Sequence, residues 1–216
     1  MINMLGAFQR PFSEPKRFAL QALISISPLS LFAFPIAWGY LFRCMQSTIE
    51  GEETLPEWPG IVMLLVNGLA SVGVVAIYLL PGIIFFVFSF PSRNPFDPTE
   101  VPIISLLILA LIFLIAGLYI MSAGFLHAAK EHDWAHAFFL KEVIQTTFTL
   151  PYLIATGASI LLSLFMYGLF LLQSRLNFMP PLMGTIVFSI ILGIFGAYAG
   201  IVIMTLYGQA YPEEEG

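Results

Sequence analysis

Five long runs of this sequence contain no Asp, Glu, Lys, Arg or His, and this feature constrains the fold more than any other. The runs are residues 18–42, 61–90, 102–125, 150–172 and 182–207. A helix crosses the hydrocarbon core of a bilayer with about 20 apolar residues, so each run is long enough to span it. The runs are continuous, whereas strands of membrane barrels alternate apolar and polar residues. The sequence therefore predicts an all-α integral membrane helical bundle with about five transmembrane helices.

Composition agrees with this class. The 216 residues are 59% hydrophobic and only 10% charged, whereas a soluble domain carries about 25% charged residues. These charges are too few to cover a water-facing surface, so we expect a single transmembrane domain over residues 1–216. The net charge of −5 argues against a basic surface for nucleic acid, and we expect no nucleic-acid partner.

Prolines interrupt two of the runs. Pro28 and Pro35 each remove a backbone hydrogen bond, so the first span is expected to be kinked. The run 61–90 contains Pro81 and is longer than one crossing needs. We interpret this run as one kinked and tilted span, and a span followed by a re-entrant segment is the alternative.

The segments between and beyond the runs are polar. Residues 1–17 predict a segment on the membrane surface, residues 127–145 predict an interfacial helix, and residues 208–216 form an acidic tail. Five spans would place the two termini on opposite sides of the membrane. Five of the eight basic residues would then lie on the N-terminal side. The positive-inside rule therefore predicts a multi-pass protein of the cell membrane with a cytoplasmic N-terminus.

A motif marks the point where the first run meets water. Its residues are Gly39, Tyr40, Arg43, Gly51, Leu55, Pro56, Glu57 and Trp58. Aromatic side chains next to the first charge are typical of a membrane interface, and the Leu-Pro-Glu-Trp segment predicts a rigid turn with an indole at headgroup depth. We interpret the motif as an interfacial anchor.

This motif, together with Asn67-Gly68-Leu69 and residues 77–81, resembles an uncharacterised prokaryotic membrane family, the domain of unknown function 4013. Residues 128–130 and 137–143 are similar to the second half of the family pattern. The resemblance runs from about Ser13 to the fifth span. It implies a multi-pass membrane protein without an established activity, and it assigns no catalytic residue.

Small residues give the fifth span a face at which another helix can approach closely. This face contains Gly193, Gly196 and Gly200. Packing within the protein is the favoured interpretation because neighbouring spans are available, and an interface with a second copy or another membrane protein is the alternative.

All three histidines, His127, His132 and His136, lie in the polar stretch after the third span. Side chains four positions apart share one face of a helix. His132 and His136 could therefore hold a metal ion, with Glu131 or His127 as a third ligand. An ordinary interfacial helix is favoured, because two histidines at this spacing are a loose signal, and we expect no cofactor.

The absence of ionisable side chains from the runs also bears on function. Proton and ion pathways usually contain such residues, because a charge in lipid is costly and is kept for use. We therefore expect a non-enzymatic assembly, scaffold or lipid-interacting component, with membrane lipids, another membrane protein or a second copy as partners. A transporter or pore subunit for an uncharged or amphipathic substrate is the alternative. A lipid-modifying metalloenzyme that uses the histidines is a third possibility.

Overall fold

The computed structural model describes residues 2–26, 30–90, 101–175 and 181–211, and within these ranges the chain contains helices and no β-strand. The elements in chain order are α1 Met4–Gln9, a 3₁₀ turn Arg10–Phe12, α2 Pro15–Ile26, α3 Ser30–Ile49, α4 Ile61–Phe88, α5 Ile104–Glu131, a second 3₁₀ segment Trp134–Phe138, α6 Leu140–Thr147, α7 Leu150–Arg175 and α8 Pro181–Gln209. The predicted all-α fold is confirmed.

Four helices in the described ranges are long and apolar enough to cross a membrane. These segments are Ile61–Phe88, Ile104–Glu131, Leu150–Leu169 and Ser189–Gln209. They form the whole of α4 and α5 and most of α7 and α8. Helix α4 continues through Pro81 as one element, so residues 61–88 form one long helix without a separate re-entrant segment.

The first run does not form the single span expected for residues 18–42. The Gln21 side-chain amide donates a hydrogen bond to the Ala37 carbonyl, 3.3 Å away. Two residues 16 positions apart in one continuous helix would be separated by about 24 Å. Helices α2 and α3 therefore lie side by side as a hairpin. The expected kink at Pro28 lies outside the described residues, and α3 continues through Pro35.

This hairpin extends along only part of the bundle. Helices α3 and α4 cross closely where the Pro35 carbonyl packs against Gly68. Because the two helices are antiparallel, Ser30 at the start of α3 lies near the level of residue 73. From there α4 continues to Phe88, a distance of about 22 Å. The geometry of α2 and α3 is therefore that of a re-entrant hairpin, which enters and leaves at the same end.

The first and the last described segments of the chain both lie at that end of the bundle. The Asn3 backbone N–H donates to Gln209 Oε1 over 2.9 Å, and Arg10 contacts Thr205 near the end of α8. We call this end, where residues 2–17, 43–60, 127–149 and 203–211 meet, the polar end. The prediction that five spans separate the termini is therefore wrong. It failed because the first run turns back on itself.

The tightest packing is also at the polar end. Tyr40, Leu55, Leu126, Tyr152 and Leu206 are all 0% exposed. Helix α8 is the most enclosed of the four long helices, with 39% of its apolar window buried against 17% for each of the others. It packs against α2, α3 and α7. The other long helices have many exposed apolar side chains on their outer faces, as helices long and apolar enough to cross a membrane would.

Candidate functional site

The interfacial motif folds into a compact cluster rather than a free anchor. The Tyr40 ring stacks on Trp58 with centroids 4.5 Å apart and an angle of 18° between the planes. The Tyr40 hydroxyl donates to the Pro56 carbonyl over 3.2 Å. Leu55 is completely buried. The connection between α3 and α4 is therefore held against α3 by both ring stacking and a hydrogen bond.

Two residues at the start of α2, one just before it and one in its first turn, hold the same connection from the other side. The Leu55 N–H donates to Ser13 Oγ over 3.1 Å, and the Arg17 guanidinium donates to the Leu55 carbonyl. Arg17 also forms an ion pair with Glu57 at 3.4 Å. Since the Glu57 side chain is 89% exposed, this ion pair contributes little to the stability of the connection. The hydrogen bonds to Leu55 contribute more.

The remaining motif residues have different roles. Gly39 lies at the crossing of α3 and α4, where a Cβ would collide with the Leu64 backbone. Gly51 has φ +84°, a left-handed conformation that glycine adopts without strain. Arg43 forms an ion pair with Glu50 at 3.1 Å.

Arg10 organises the polar end, although the sequence suggested only a basic residue on a surface segment. It is 3% exposed. Five acceptors surround its guanidinium: the carbonyls of Cys44 and Thr54 and the hydroxyls of Ser47, Thr48 and Thr205. No described carboxylate forms an ion pair with it. Burial lowers the pKa of the Arg10 guanidinium, but arginine stays charged in proteins.

The three histidines lie in separate environments. His127 Nε2 is 2.8 Å from Thr146 Oγ1 in the contact between α5 and α6. His132 follows the end of α5 in a left-handed conformation with φ 52°, and its Nε2 is 3.5 Å from Glu50 Oε1. His136 lies in the second 3₁₀ segment, where its ring meets the edge of Phe139.

The expected shared helix face of His132 and His136 is therefore absent, because α5 ends at Glu131, before both of them. Among the described residues, no group of three or more His, Cys, Asp or Glu side chains is arranged to hold a metal ion. Metal binding by these histidines stays a prediction for metal analysis to test.

The small-residue face of α8 divides between two neighbours. A side chain at Gly193 would meet the Ile26 backbone of α2, and one at Gly200 would meet Leu41 of α3. Gly196 has open space around its Cβ position. Gly193 and Gly200 thus support close packing within the chain, and Gly196 does not.

An apolar cavity of about 680 Å³ lies between α3, α5, α7 and α8. We call it the intramembrane cavity. Its wall includes Trp38 and Met45 of α3, Phe125 of α5, Leu164 of α7 and Met204 of α8. None of its lining residues is Asp, Glu, Lys, Arg or His. The cavity therefore suits an uncharged hydrocarbon group.

Hydroxyl groups in the wall do not change this character. Ser122 Oγ donates to the Leu118 carbonyl, and Ser159 Oγ donates to the Ala155 carbonyl. In each case the donor is already used by the carbonyl one turn earlier in the same helix. No unpaired donor from these two serines is directed into the cavity.

Three tyrosines close the polar end of the cavity. Tyr119 and Tyr207 line it, and Tyr152 packs against both, with ring centroids 5.3 Å and 5.5 Å away. The Tyr207 hydroxyl is 3.3 Å from Thr156 Oγ1. Helix α7 packs mainly on α8 and meets α5 through these rings. Beyond the rings, α5 and α7 diverge, and the cavity lies in the space between them.

Over the described residues, these features define an α-helical protein with four candidate membrane-crossing helices, a packed polar end and an apolar cavity between helices. The chain belongs to the family described as protein of unknown function (DUF4013), whose model matches residues 23–174. The predicted family is thereby confirmed. The match includes α3–α7 and the interfacial motif, whereas Arg10 and α8 lie outside it. No curated protein and no solved structure matches the chain.

Proposed function

We propose that this protein is a non-enzymatic, lipid-interacting component of the cell membrane that holds one hydrocarbon chain of a membrane lipid in the intramembrane cavity. The cavity is the observation that carries the proposal. Its volume of about 680 Å³ lies within the usual range of ligand pockets, about 300–1,000 Å³.

The dimensions of the cavity support a single lipid chain. Its lining on α7 extends from Thr156 to Tyr167, which corresponds to about 16 Å along the helix. One leaflet contributes about half of a 30 Å hydrocarbon core, or about 15 Å. A chain from the leaflet at the polar end would therefore match the cavity in length.

The source of affinity would be packing rather than the hydrophobic effect. A lipid chain is already in an apolar solvent, so moving it from the bilayer into the cavity removes little surface from water. Close contacts with Trp38 and Phe125 would have to replace its contacts with other lipids. The proposal therefore predicts selection by chain shape and length.

The distribution of basic residues supports one orientation in the membrane. Six of the eight Lys and Arg residues belong to the segments of the polar end: Arg10, Lys16, Arg17, Arg43, Lys130 and Lys141. By the positive-inside rule, the polar end would face the cytoplasm.

A transporter for an amphipathic substrate is the second candidate. The re-entrant hairpin supports it, because interrupted helices beside a site near the middle of the membrane recur in transporters. Trp38 and Met45 of α3 belong both to this hairpin and to the cavity wall. A movement of the hairpin would then change access to the cavity.

The test is the amount of lipid that remains bound through purification in mild detergent, measured by mass spectrometry. Ser122→Phe and Ser163→Phe should fill the cavity and reduce lipid retention severalfold. Ser105→Phe places the same substitution on an exposed position of α5 outside the cavity and should leave retention unchanged. Equal retention in all three variants would refute the proposal.

The same variants separate binding from transport. In reconstituted vesicles, a fluorescent phospholipid that exchanges between leaflets faster than in protein-free vesicles would favour the transporter. Retention without accelerated exchange would favour the lipid-interacting component.

A further inference from the structure

A second pocket opens at the polar end between α3, α4 and α5. Its volume is about 270 Å³. Phe42 and Trp134 form one wall, with their rings stacked at 4.2 Å, and Met63 adds a further apolar contact. We call it the headgroup pocket, because it lies where the long helices reach the polar end. It uses a different face of α3 from the intramembrane cavity, so it does not depend on the proposed function.

Hydrogen-bond donors converge on this pocket. Arg43, Gln46 and Asn67 all line it. The guanidinium of Arg43 is the one fixed formal charge among the lining residues. Arginine has five N–H donors, and Glu50 accepts from one nitrogen, Nη1, at 3.1 Å. No other described residue accepts from the Arg43 side chain, so its remaining donors can bond to a ligand.

Asn67 supplies a second donor to the pocket. It lies six residues after the start of α4 at Ile61, about 9 Å into the helix. Its side chain is partly buried and forms no hydrogen bond with any described residue. The amide N–H groups can therefore donate to a ligand in the pocket.

The charged groups around the pocket are few. His132 lines it and is 3.5 Å from Gln46 through Nδ1, and its Nε2 faces Glu50 at 3.5 Å. Glu50 itself does not line the pocket. Glu50 therefore lies at the rim of the pocket. The pocket itself is lined by the Arg43 guanidinium and by the side-chain amides of Gln46 and Asn67.

We propose that the headgroup pocket binds an anionic phosphate group, with Arg43 donating to its oxygens from α3 and Asn67 donating from α4. Guanidinium and amide donors match phosphate oxygens, and arginine forms strong charge-assisted bonds with them. The phosphate belongs either to a phospholipid headgroup, with its chains along Phe42 and Met63, or to a small soluble phosphate ester.

The test measures both sources with purified full-length protein. In one arm, the protein is placed in phosphatidylcholine nanodiscs with and without phosphatidylglycerol, and bound phosphatidylglycerol is counted by native mass spectrometry. In the other arm, glycerol 3-phosphate is titrated in detergent, and the increase in melting temperature is recorded. Binding in the first arm alone identifies a lipid headgroup, and binding in the second identifies a soluble ester.

Variants make the result specific to the pocket. Arg43→Gln and Asn67→Leu should each weaken binding about tenfold, the loss expected when a charge-assisted or buried hydrogen bond is removed. Arg43→Lys keeps the charge and should retain part of the binding. Lys141→Gln removes one exposed positive charge at the same end and should have no effect. The monodispersity of each variant in size-exclusion chromatography confirms its fold.

Absence of binding in both arms would overturn the proposal. So would an equal loss in Arg43→Gln and Lys141→Gln, since that result would show attraction to the charge of the whole surface. Unchanged binding in Asn67→Leu would show that the Asn67 amide does not contact the phosphate group.

Discussion

Replacing Arg10 with methionine should destabilise the protein by about 2 kcal/mol, through the loss of its charge-assisted hydrogen bonds. The hydroxyls of Ser47, Thr48 and Thr205 each donate to a helix carbonyl, so they keep a partner when the guanidinium is removed. The Thr54 carbonyl accepts from both Nε and Nη2 of Arg10, and in the variant it loses both donors.

The magnitude follows from the bonds of the buried Arg10 guanidinium. One hydrogen bond to a charged group contributes about 1.5–3 kcal/mol. Arg10 makes several such bonds, and the recovered desolvation of a buried charge offsets part of their loss. For a chain of this length, about 2 kcal/mol corresponds to a decrease in melting temperature of about 4–8 °C.

The assay is thermal unfolding in detergent, followed by tryptophan fluorescence, which reports on Trp58 above Tyr40. The melting temperature of Arg10→Lys should lie between those of the wild type and Arg10→Met, because an ammonium group has three donors for the five acceptors. Lys16→Met, the same substitution type at an exposed position, is the control. If Arg10→Met melts within about 1 °C of Lys16→Met, the assigned role of the guanidinium is incorrect.

Two further predictions concern α8 and the histidines. Gly193→Leu should lower the melting temperature, because the new side chain would meet the Ile26 backbone. Gly196→Leu should be tolerated, because the space around that position is open. An equal decrease in melting temperature in both variants would contradict this assignment of the packing face. A chelator should leave the melting temperature unchanged, because His127, His132 and His136 have separate partners. Destabilisation by the chelator that zinc reverses would show that they bind a metal after all.

Much of the fold follows from hydropathy. The segments that become α4, α5, α7 and α8 could be recognised because a long apolar run without charges has no stable position in water. The hairpin of α2 and α3 could not be recognised in this way. Two helices folded back on each other contain the same apolar residues as one crossing helix, and hydropathy does not record chain direction. Gln21 is a polar residue within this apolar run, and such a residue indicates contact with another helix. In the structure it is buried against Ala37.

The site was less predictable than the fold. The interfacial motif was identified by its aromatic residues, but the stacking of Tyr40 on Trp58 requires the connection to fold back, and interface statistics do not contain that information. The sequence predicts a surface position for Arg10, because basic side chains are rarely buried. Its burial depends on acceptors from α3 and α8, which are distant in sequence. The cavity arises from the divergence of two helices and has no signature in either one.

The most direct test of the whole account is the side of the membrane on which Asn3, Glu53, Val101 and Tyr211 lie. Each is replaced singly by cysteine in a Cys44→Ser background and labelled with a membrane-impermeant maleimide in intact and in permeabilised cells. A re-entrant hairpin with four crossing helices predicts that Asn3, Glu53 and Tyr211 label alike and that Val101, which is 79% exposed, labels from the opposite side. Labelling of Asn3 and Glu53 from opposite sides would show that residues 18–42 cross the membrane, and it would contradict the account.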